Sequence, residues 1–531
     1  MKKVNFTLIT LLFILSIALI GCSSGDKETA NTPNEDANEE KDDNAKYGGD
    51  LHFAFNAQPP NLDPPTNTSL DTRDIGHHIF EPLLTLNTKF EVQPMLAEDY
   101  EVSDDGKEIT FHLRQGIKFH NGKEVTSEDV VASMERWQEL SSQAQTYLNG
   151  TTYEAVDEHT IVAHIPNPTT LDLYIIADLT QFPAIMPKEI VEKAGKEWVE
   201  EYVGTGPYKL EEWKQDQYIK LTRYEDFQSR TEPADGLAGE KKAYVDNVYF
   251  HVVQDLSTRV SGLQTGEYHV AKNITQDSAE LIEADDNLKN ELYTTGFPII
   301  LFNKKEGVFT DNLVRKAANA AVNVEDILIA TYGNEKYYQK NHSLVKEEQT
   351  NWYTEAGKEE YELYDLELAK ELLEQSSYNG EEITILTTRD IMEWYNMMVV
   401  VQQQLEQIGM NVKLDVTDSA TISERLDDPS GWDLYSTSFA FRPMPIMYHF
   451  LNPEWYGWID SEEIDELKDK ILHAATQEEA EGYKDQLHEA VWDYLPAIKT
   501  GDQTTIVSMK KEIDGYQHVA GPIIWNVSLN E

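Results

Sequence analysis

Apolar and polar residues alternate with a period of two in "LHFAFNA" (51–57), "EITFHLR" (108–114) and "TIVAHI" (160–165), which predicts strands with one buried face. "PYKLEEW" and "YIKLTRY" within 207–224 carry the same alternation and predict a paired hairpin. The period changes further on. "EITILTT" (382–388) is strand-like, "MEWYNMMVVVQQQLEQI" (392–408) has helical spacing and is closed by Gly409, and "MNVKLDV" (410–416) is strand-like again. That order is a βαβ unit and predicts a parallel pair. Helix starts are marked by Thr126, three residues before Asp129 and ahead of Val130, Val131, Met134 and Trp137, and by Thr476, three before Glu479 and ahead of Ala480, Tyr483 and Leu487. Two more helices are expected over 311–322 and 462–475. Strands and hairpins dominate the first half and strand–helix alternation the second, with no repeat of fixed period, so the expected fold class is α/β with mixed sheets in two lobes.

Size and charge narrow the picture. A chain of 531 residues exceeds one hydrophobic core. With 40% hydrophobic and 10% aromatic residues, the bulk can fold. The 95 acidic against 44 basic residues give a net charge of -51, which repels phosphate backbones and argues against nucleic acid as a partner. The acidity itself speaks to solubility rather than to a site.

At the N-terminus Lys2 and Lys3 precede the apolar run 8–20, and small Gly21 precedes Cys22, the single cysteine. Residues 1–21 therefore predict a signal peptide. The ending Leu19-Ile20-Gly21-Cys22 resembles the bacterial lipobox, which implies a thioether-linked diacylglycerol on Cys22 and a lipid-anchored protein facing the cell exterior. Each buried methylene contributes about 0.8 kcal/mol and one chain holds only marginally, so a diacyl group suits stable attachment. Residues 22–46 are polar and acidic, without an aromatic residue, and predict a flexible tether. With one cysteine no intramolecular disulfide forms.

No Walker A lysine motif, Gly-x-Ser-x-Gly elbow or His-Glu-x-x-His pattern occurs, and no nucleophile stands beside a base, so no catalytic residue, cofactor or metal is expected. His77, His78 and Glu81 are candidate metal ligands by type, but adjacent helical histidines point about 100° apart. Arg389, just past the strand 382–388, sits where α/β sheets bind ligands and can take a carboxylate bidentately; a surface salt bridge is the alternative. Residues 432–458 form a long Pro-rich, aromatic loop. In it Phe439, Phe441, Trp455 and Trp458 either shape an apolar pocket around Arg442 or pack as a second cluster under the loop.

"NLDP" (61–64), "IFEPLLTLN" (79–87), "LAEDYEVSDDGKEITFHLRQGIKFHNGKEVTSEDVVASMERW" (96–137), "GTGPYKLEEW" (204–213) and "FNKKEGVFTDNLVRKAANAAVN" (302–323) together resemble the family 5 solute-binding proteins, the peptide and nickel receptors of bacterial ABC importers. The resemblance runs from about Gly48 to the C-terminus. It implies a two-lobed, periplasmic-binding-protein-like fold of type II with an extra subdomain in the first lobe. The expected division is 47–84, 205–297 and 500–531 for the first lobe, 85–204 for its subdomain, and 298–499 for the second lobe, closing on ligand in the cleft.

The same resemblance places Arg389 where peptide-binding relatives hold the ligand's carboxylate. Those relatives carry an acidic D-x-P-D-P segment after the strand matching "WDLYSTSFAF", for the peptide's ammonium group, whereas this chain reads "FRPMP" with Arg442 and Met444 at the acidic positions. A buried ammonium beside Arg442 without a carboxylate is unfavourable. "SLDTRD" (69–74) lines the cleft in relatives and supplies Asp71, Thr72 and Arg73, with Asp71 a substitute partner for an amine. The implied function is a substrate-binding lipoprotein that passes a peptide or peptide-like solute to ABC permease subunits. A receptor for a metal chelate, oligosaccharide or opine-like anion is the alternative, and a hydrolase or adhesin a distant one.

Overall fold

The computed structural model describes residues 46–530, so the signal segment, Cys22 and the tether as far as residue 45 lie outside the described residues. Among the described residues the largest element is a sheet of twelve strands. From one edge its order is Asn411–Val416, Glu382–Thr387, Leu434–Ala440, Leu288–Phe302, Asp502–Lys510, Val270–Ala271, Asp50–Phe55, Asn247–Val252, Tyr218–Arg223 and Tyr208–Lys214, with Tyr338–Gln339 and Ala497–Lys499 paired beside it. The predicted strands near residues 51, 208 and 218 are here, and Tyr208–Lys214 pairs antiparallel with Tyr218–Arg223 as expected for a hairpin. The βαβ unit is also present: Glu382–Thr387 runs parallel to Asn411–Val416, joined by the helix Met392–Gln407, and Gly409 follows with φ +95°.

Alternation along these strands puts an apolar core on each face of the sheet. Leu51, Phe53, Phe55, Phe297, Ile299, Leu301, Val507 and Met509 belong to one core, while Ala54, Ile300, Phe302, Ile383, Ile385 and Ile506 belong to the other. Helices Asn312–Ala321, Val324–Tyr332 and Met392–Gln407 supply apolar residues to the second core. The first core takes in the helix Leu70–Ile79 and a separate antiparallel sheet in the order Ala97–Val102, Glu108–Leu113, Thr160–His164, Thr152–Asp157. Burying each Leu, Ile or Phe side chain contributes about 1.5–3 kcal/mol, so both faces anchor the sheet.

The turn at 103–107 uses Gly106 at φ +71°, and the helix Ser127–Leu140 starts with the expected capping box, in which the Thr126 N–H donates to Asp129 Oδ2 at 3.1 Å.

Two expected helices differ in length. The one capped by Thr476 is split into Gln477–Glu481 and Lys484–Tyr494, because Gly482 and Tyr483 stand between them as the C-cap of one and the N-cap of the next. The helix expected over 462–475 is Glu462–Leu472. Its last carbonyls turn to the Thr170 segment: Leu472 O accepts the Thr170 N–H at 3.0 Å and Ile471 O the Thr170 hydroxyl at 2.9 Å.

The fifteen-residue strand Leu288–Phe302 ties the sheet's two halves together. Its first part pairs with Asp502–Lys510 and its last part with Leu434–Ala440, with a register shift between Thr294 and Gly296. A Cβ on Gly296 would lie 2.1 Å from the Phe439 carbonyl oxygen, so only glycine allows this crossing.

Candidate functional site: a charged cavity beside the crossing strands

A cavity of about 490 Å³ opens beside the crossing strands, where Thr295, Gln503 and Thr505 reach its floor. That volume is in the range of small-molecule sites.

One wall comes from the helix Leu70–Ile79. Ser69 caps it by accepting the Thr72 N–H at 3.4 Å, and Gly76 lets it lie against Pro64, which an added Cβ would approach to 3.0 Å. Asp71, Arg73 and Asp74 line the cavity from this helix, and Lys272 joins them from just past the strand Val270–Ala271. Lys272 Nζ donates to Asp71 Oδ1 at 2.7 Å and to Asp74 Oδ2 at 2.9 Å, and Arg73 donates through Nε and a terminal nitrogen to Asp74 Oδ1 at 2.9 and 2.6 Å. Two acids and two bases thus neutralise one another. Burial alone would raise the Asp74 pKa, but the Arg73 and Lys272 cations outweigh it and hold the carboxyl far below its ordinary value. Burial likewise works against the charge on Lys272, and Asp74 with Asp71 reverses it, so the ammonium titrates above its ordinary value.

Gly521 completes this wall by close approach, since a Cβ there would lie 2.2 Å from Asp74 Oδ1 and 3.1 Å from an Arg73 nitrogen. His518 also lines the cavity, its pKa pushed down to about 4 by burial.

A second wall follows the strand Leu434–Ala440 and consists of Phe441, Arg442, Pro443 and Met447. The Arg442 main chain is clamped on both sides: its N–H donates to the Tyr448 hydroxyl at 3.1 Å and its carbonyl accepts from Gln349 Nε2 at 2.9 Å. No hydrogen bond or ion pair holds its guanidinium among the described residues. A third side carries Tyr174, Asp178 and Thr180. Asp178 Oδ1 and Oδ2 accept the Thr180 and Gln181 N–H groups, both at 3.2 Å, and burial raises its pKa against the pull of those donors and of Arg442. Phe90 enters from the turn after Leu84–Leu86 at φ +61°, a left-handed conformation unusual for an aromatic residue.

Of the residues singled out in the sequence, the cavity brings together Asp71, Arg73, Phe441 and Arg442. Thr72 lies behind the wall, fully buried, with its hydroxyl donating to Asn61 O at 2.7 Å. Phe439 packs against Phe450 and Trp455, at ring separations of 5.5 and 5.7 Å, and Trp458 stacks on Trp432 at 5.9 Å; none of the three lines the cavity. Arg389 is exposed, with a guanidinium nitrogen donating to the Tyr395 hydroxyl at 3.0 Å. It is not among the residues lining this cavity, although Ile391, Glu393 and Trp394 just after it line an adjoining pocket that shares Asn273, Gln503 and Thr505 with it.

His77 and His78 are occupied by main-chain groups, His77 Nε2 at 2.9 Å from Leu179 O and His78 Nδ1 at 2.8 Å from Asp74 O, while Glu81 accepts from Lys241 and Thr205. Among the described residues no group of three or more His, Cys, Asp or Glu side chains is placed to hold a metal ion.

Lys272, Asp74 and Asp178 were not singled out. Each carries a faint signal: Asp74 closes the segment 69–74, Lys272 follows directly on a short apolar strand, and Asp178, like Asp172, interrupts the apolar run 171–179.

Residues 91–458 match the family described as "Bacterial extracellular solute-binding proteins, family 5 Middle". The chain is 30% identical over 491 residues to the "Probable peptide ABC transporter periplasmic-binding protein y4tO" of Sinorhizobium fredii, covering 88% of this chain and 91% of that one. Among solved structures it is similar to the ABC transporter substrate-binding protein CtaP of Listeria monocytogenes, with a TM-score of 0.81 and 21% identity over 92% of this chain and 100% of the other. It is also similar to the oligopeptide-binding protein AppA of Bacillus subtilis in complex with a nonapeptide, with a TM-score of 0.71 and 22% identity over 92% of this chain and 100% of that one. The fold is thus the two-lobed α/β fold of periplasmic binding proteins, and the chain belongs to the bacterial extracellular solute-binding proteins of family 5.

Proposed function

We propose that this protein is the substrate-binding lipoprotein of an ABC importer, capturing a peptide or peptide-like solute in the cavity and passing it to the permease subunits unaltered. The observation that carries the reading is the cavity itself, whose walls come from chain segments far apart in sequence, around residues 71–74, 174–180, 272 and 441–447. A solute that touches several of these walls at once binds best when they are together, so closure follows binding. The lobes would close about the crossing strands Leu288–Phe302 and Asp502–Lys510, with Asp71, Arg73, Phe441 and Arg442 in contact with the solute. The relatives whose names speak of peptides support the solute class.

Cys22, at the end of the signal segment, is the proposed lipid attachment, holding the chain on the outer face of the cell membrane through the tether. Intact-mass analysis of the mature protein from membranes tests it: a chain beginning at Cys22 with a diacylglyceryl adduct is expected, and a mature N-terminus elsewhere contradicts it.

Titration calorimetry with peptides of two to five residues tests the solute class. Saturable binding of one peptide per chain, with the peptide recovered intact, is expected; flat titrations throughout contradict the peptide reading.

A further inference from the structure

Six ionic side chains line the cavity: Asp71, Arg73, Asp74, Asp178, Lys272 and Arg442. Four of them form the closed set of Arg73 with Asp74 and of Lys272 with Asp74 and Asp71, with every contact at 2.9 Å or less. Both oxygens of Asp178 accept main-chain N–H groups. Arg442 differs from all of these. Its main chain is fixed at both ends by Tyr448 and Gln349, which are buried, so the base of the side chain is held in place. Its guanidinium, with five N–H donors, has no acceptor among the described residues.

We infer that the cleft recognises a solute presenting an anionic group, a carboxylate or its equivalent, to Arg442, and that this wall discriminates against a solute presenting an ammonium group there. The inference deepens the proposed function and rests on its placing of the solute in this cavity. The chemistry follows from what is left unpaired. A carboxylate pairs with a guanidinium through two parallel N–H···O bonds, the strongest polar contact the cavity still offers. An ammonium group at the same place meets a like charge, and Asp178, which lines the same cavity, already serves two N–H donors. The Arg73 wall does not compete for the anion to the same degree, because Asp74 occupies two of its nitrogens.

The test measures affinities of wild type, Arg442→Met and Arg442→Lys for five probes: trialanine amide with a free amine, N-acetyl-trialanine amide, N-succinyl-trialanine amide, iminodiacetate and gluconate. On wild type the N-succinyl peptide is expected to bind about 10- to 100-fold more tightly than the free-amine peptide. In Arg442→Met that preference should vanish through weaker binding of the succinyl form, and Arg442→Lys should restore it in part. A free-amine peptide that binds wild type as tightly as the succinyl form overturns the inference while leaving the peptide reading standing. Arg442-dependent binding of iminodiacetate or gluconate alone supports the anion site and contradicts the peptide reading. Binding of none of the five overturns the inference as well as the peptide reading. Because the wild-type ranking decides on its own, a misfolded variant does not remove the test.

Discussion

On one wall of the cavity Asp71, Lys272, Asp74 and Arg73 hold one another through contacts of 2.6 to 2.9 Å, whereas on another Arg442 is fixed only through its main chain. Both walls present arginine to the same space, yet their charges do different work. The first is a neutral, internally satisfied set that shapes the cavity and ties the helix Leu70–Ile79 to Lys272, about 200 residues along the chain. The second leaves a cation with its hydrogen-bonding capacity unspent. Presence of a charge in a cleft therefore does not mark it as a ligand contact; what counts is whether the protein has already paired it.

The contrast can be broken most forcefully at Asp74, which is 5% exposed and bridges both cations. Asp74→Ala leaves Arg73 without a carboxylate partner and Lys272 with Asp71 alone, and should destabilise the fold by about 3–5 kcal/mol in urea unfolding. A loss below 1 kcal/mol would mean that water replaces the carboxylate easily. Gly521→Ala attacks the same set by volume, since its Cβ would lie 2.2 Å from Asp74 Oδ1. The expected loss is about 1–3 kcal/mol, read as a lower unfolding midpoint.

Acid sharpens the comparison through linkage. His78 and His518 titrate at about 4 in the folded protein, and His77 at about 3, all because burial disfavours their charged forms. The unfolded chain takes up protons at these sites from about pH 6.5, where the folded chain does not, so stability should fall as the pH drops from about 6.5 to 4. Asp74 acts lower. Its folded pKa is depressed, so its contribution is complete above about pH 3.9 and is lost as the pH falls beneath it. Urea midpoints of wild type and Asp74→Asn, measured across this span, should converge only below about pH 4.

The smallest effect on stability is expected at Arg442 and Arg389, neither of which holds a carboxylate partner among the described residues. Arg442→Met and Arg389→Ala should each shift unfolding by less than about 0.5 kcal/mol. They part company in solute affinity, where Arg389, outside the cavity and resting on Tyr395, is expected to matter less than Arg442. Calorimetry on both variants checks the ranking.

Much of the fold was legible because local patterns decided it. The alternation at 51–57 and 382–388 reports directly on the two faces of the main sheet, where Phe53 and Leu386 enter one core and Ala54 and Ile385 the other. Helix ends were less so. At the helix end, Leu472 O and Ile471 O are taken up by Thr170, some 300 residues away, a contact no local pattern encodes. The same holds for the site. Asp71 and Arg73 stood out within one short motif, but their partner Lys272 is brought in by the pairing of Val270–Ala271 with Asp50–Phe55 and Asp502–Lys510. The aromatic loop showed both of its readings at once: Phe441 lines the cavity, while Phe439, Trp455 and Trp458 form the packing beneath.

The central claim, that a solute is held unaltered between these walls, is tested most directly by extracting the solute that co-purifies with the protein, identifying it by mass, and titrating it back. One intact molecule per wild-type chain is predicted, with affinity lost in Arg442→Met, which leaves the Arg73–Asp74 pair untouched. Equal affinity in wild type and Arg442→Met, or a solute recovered in cleaved form, would contradict the account.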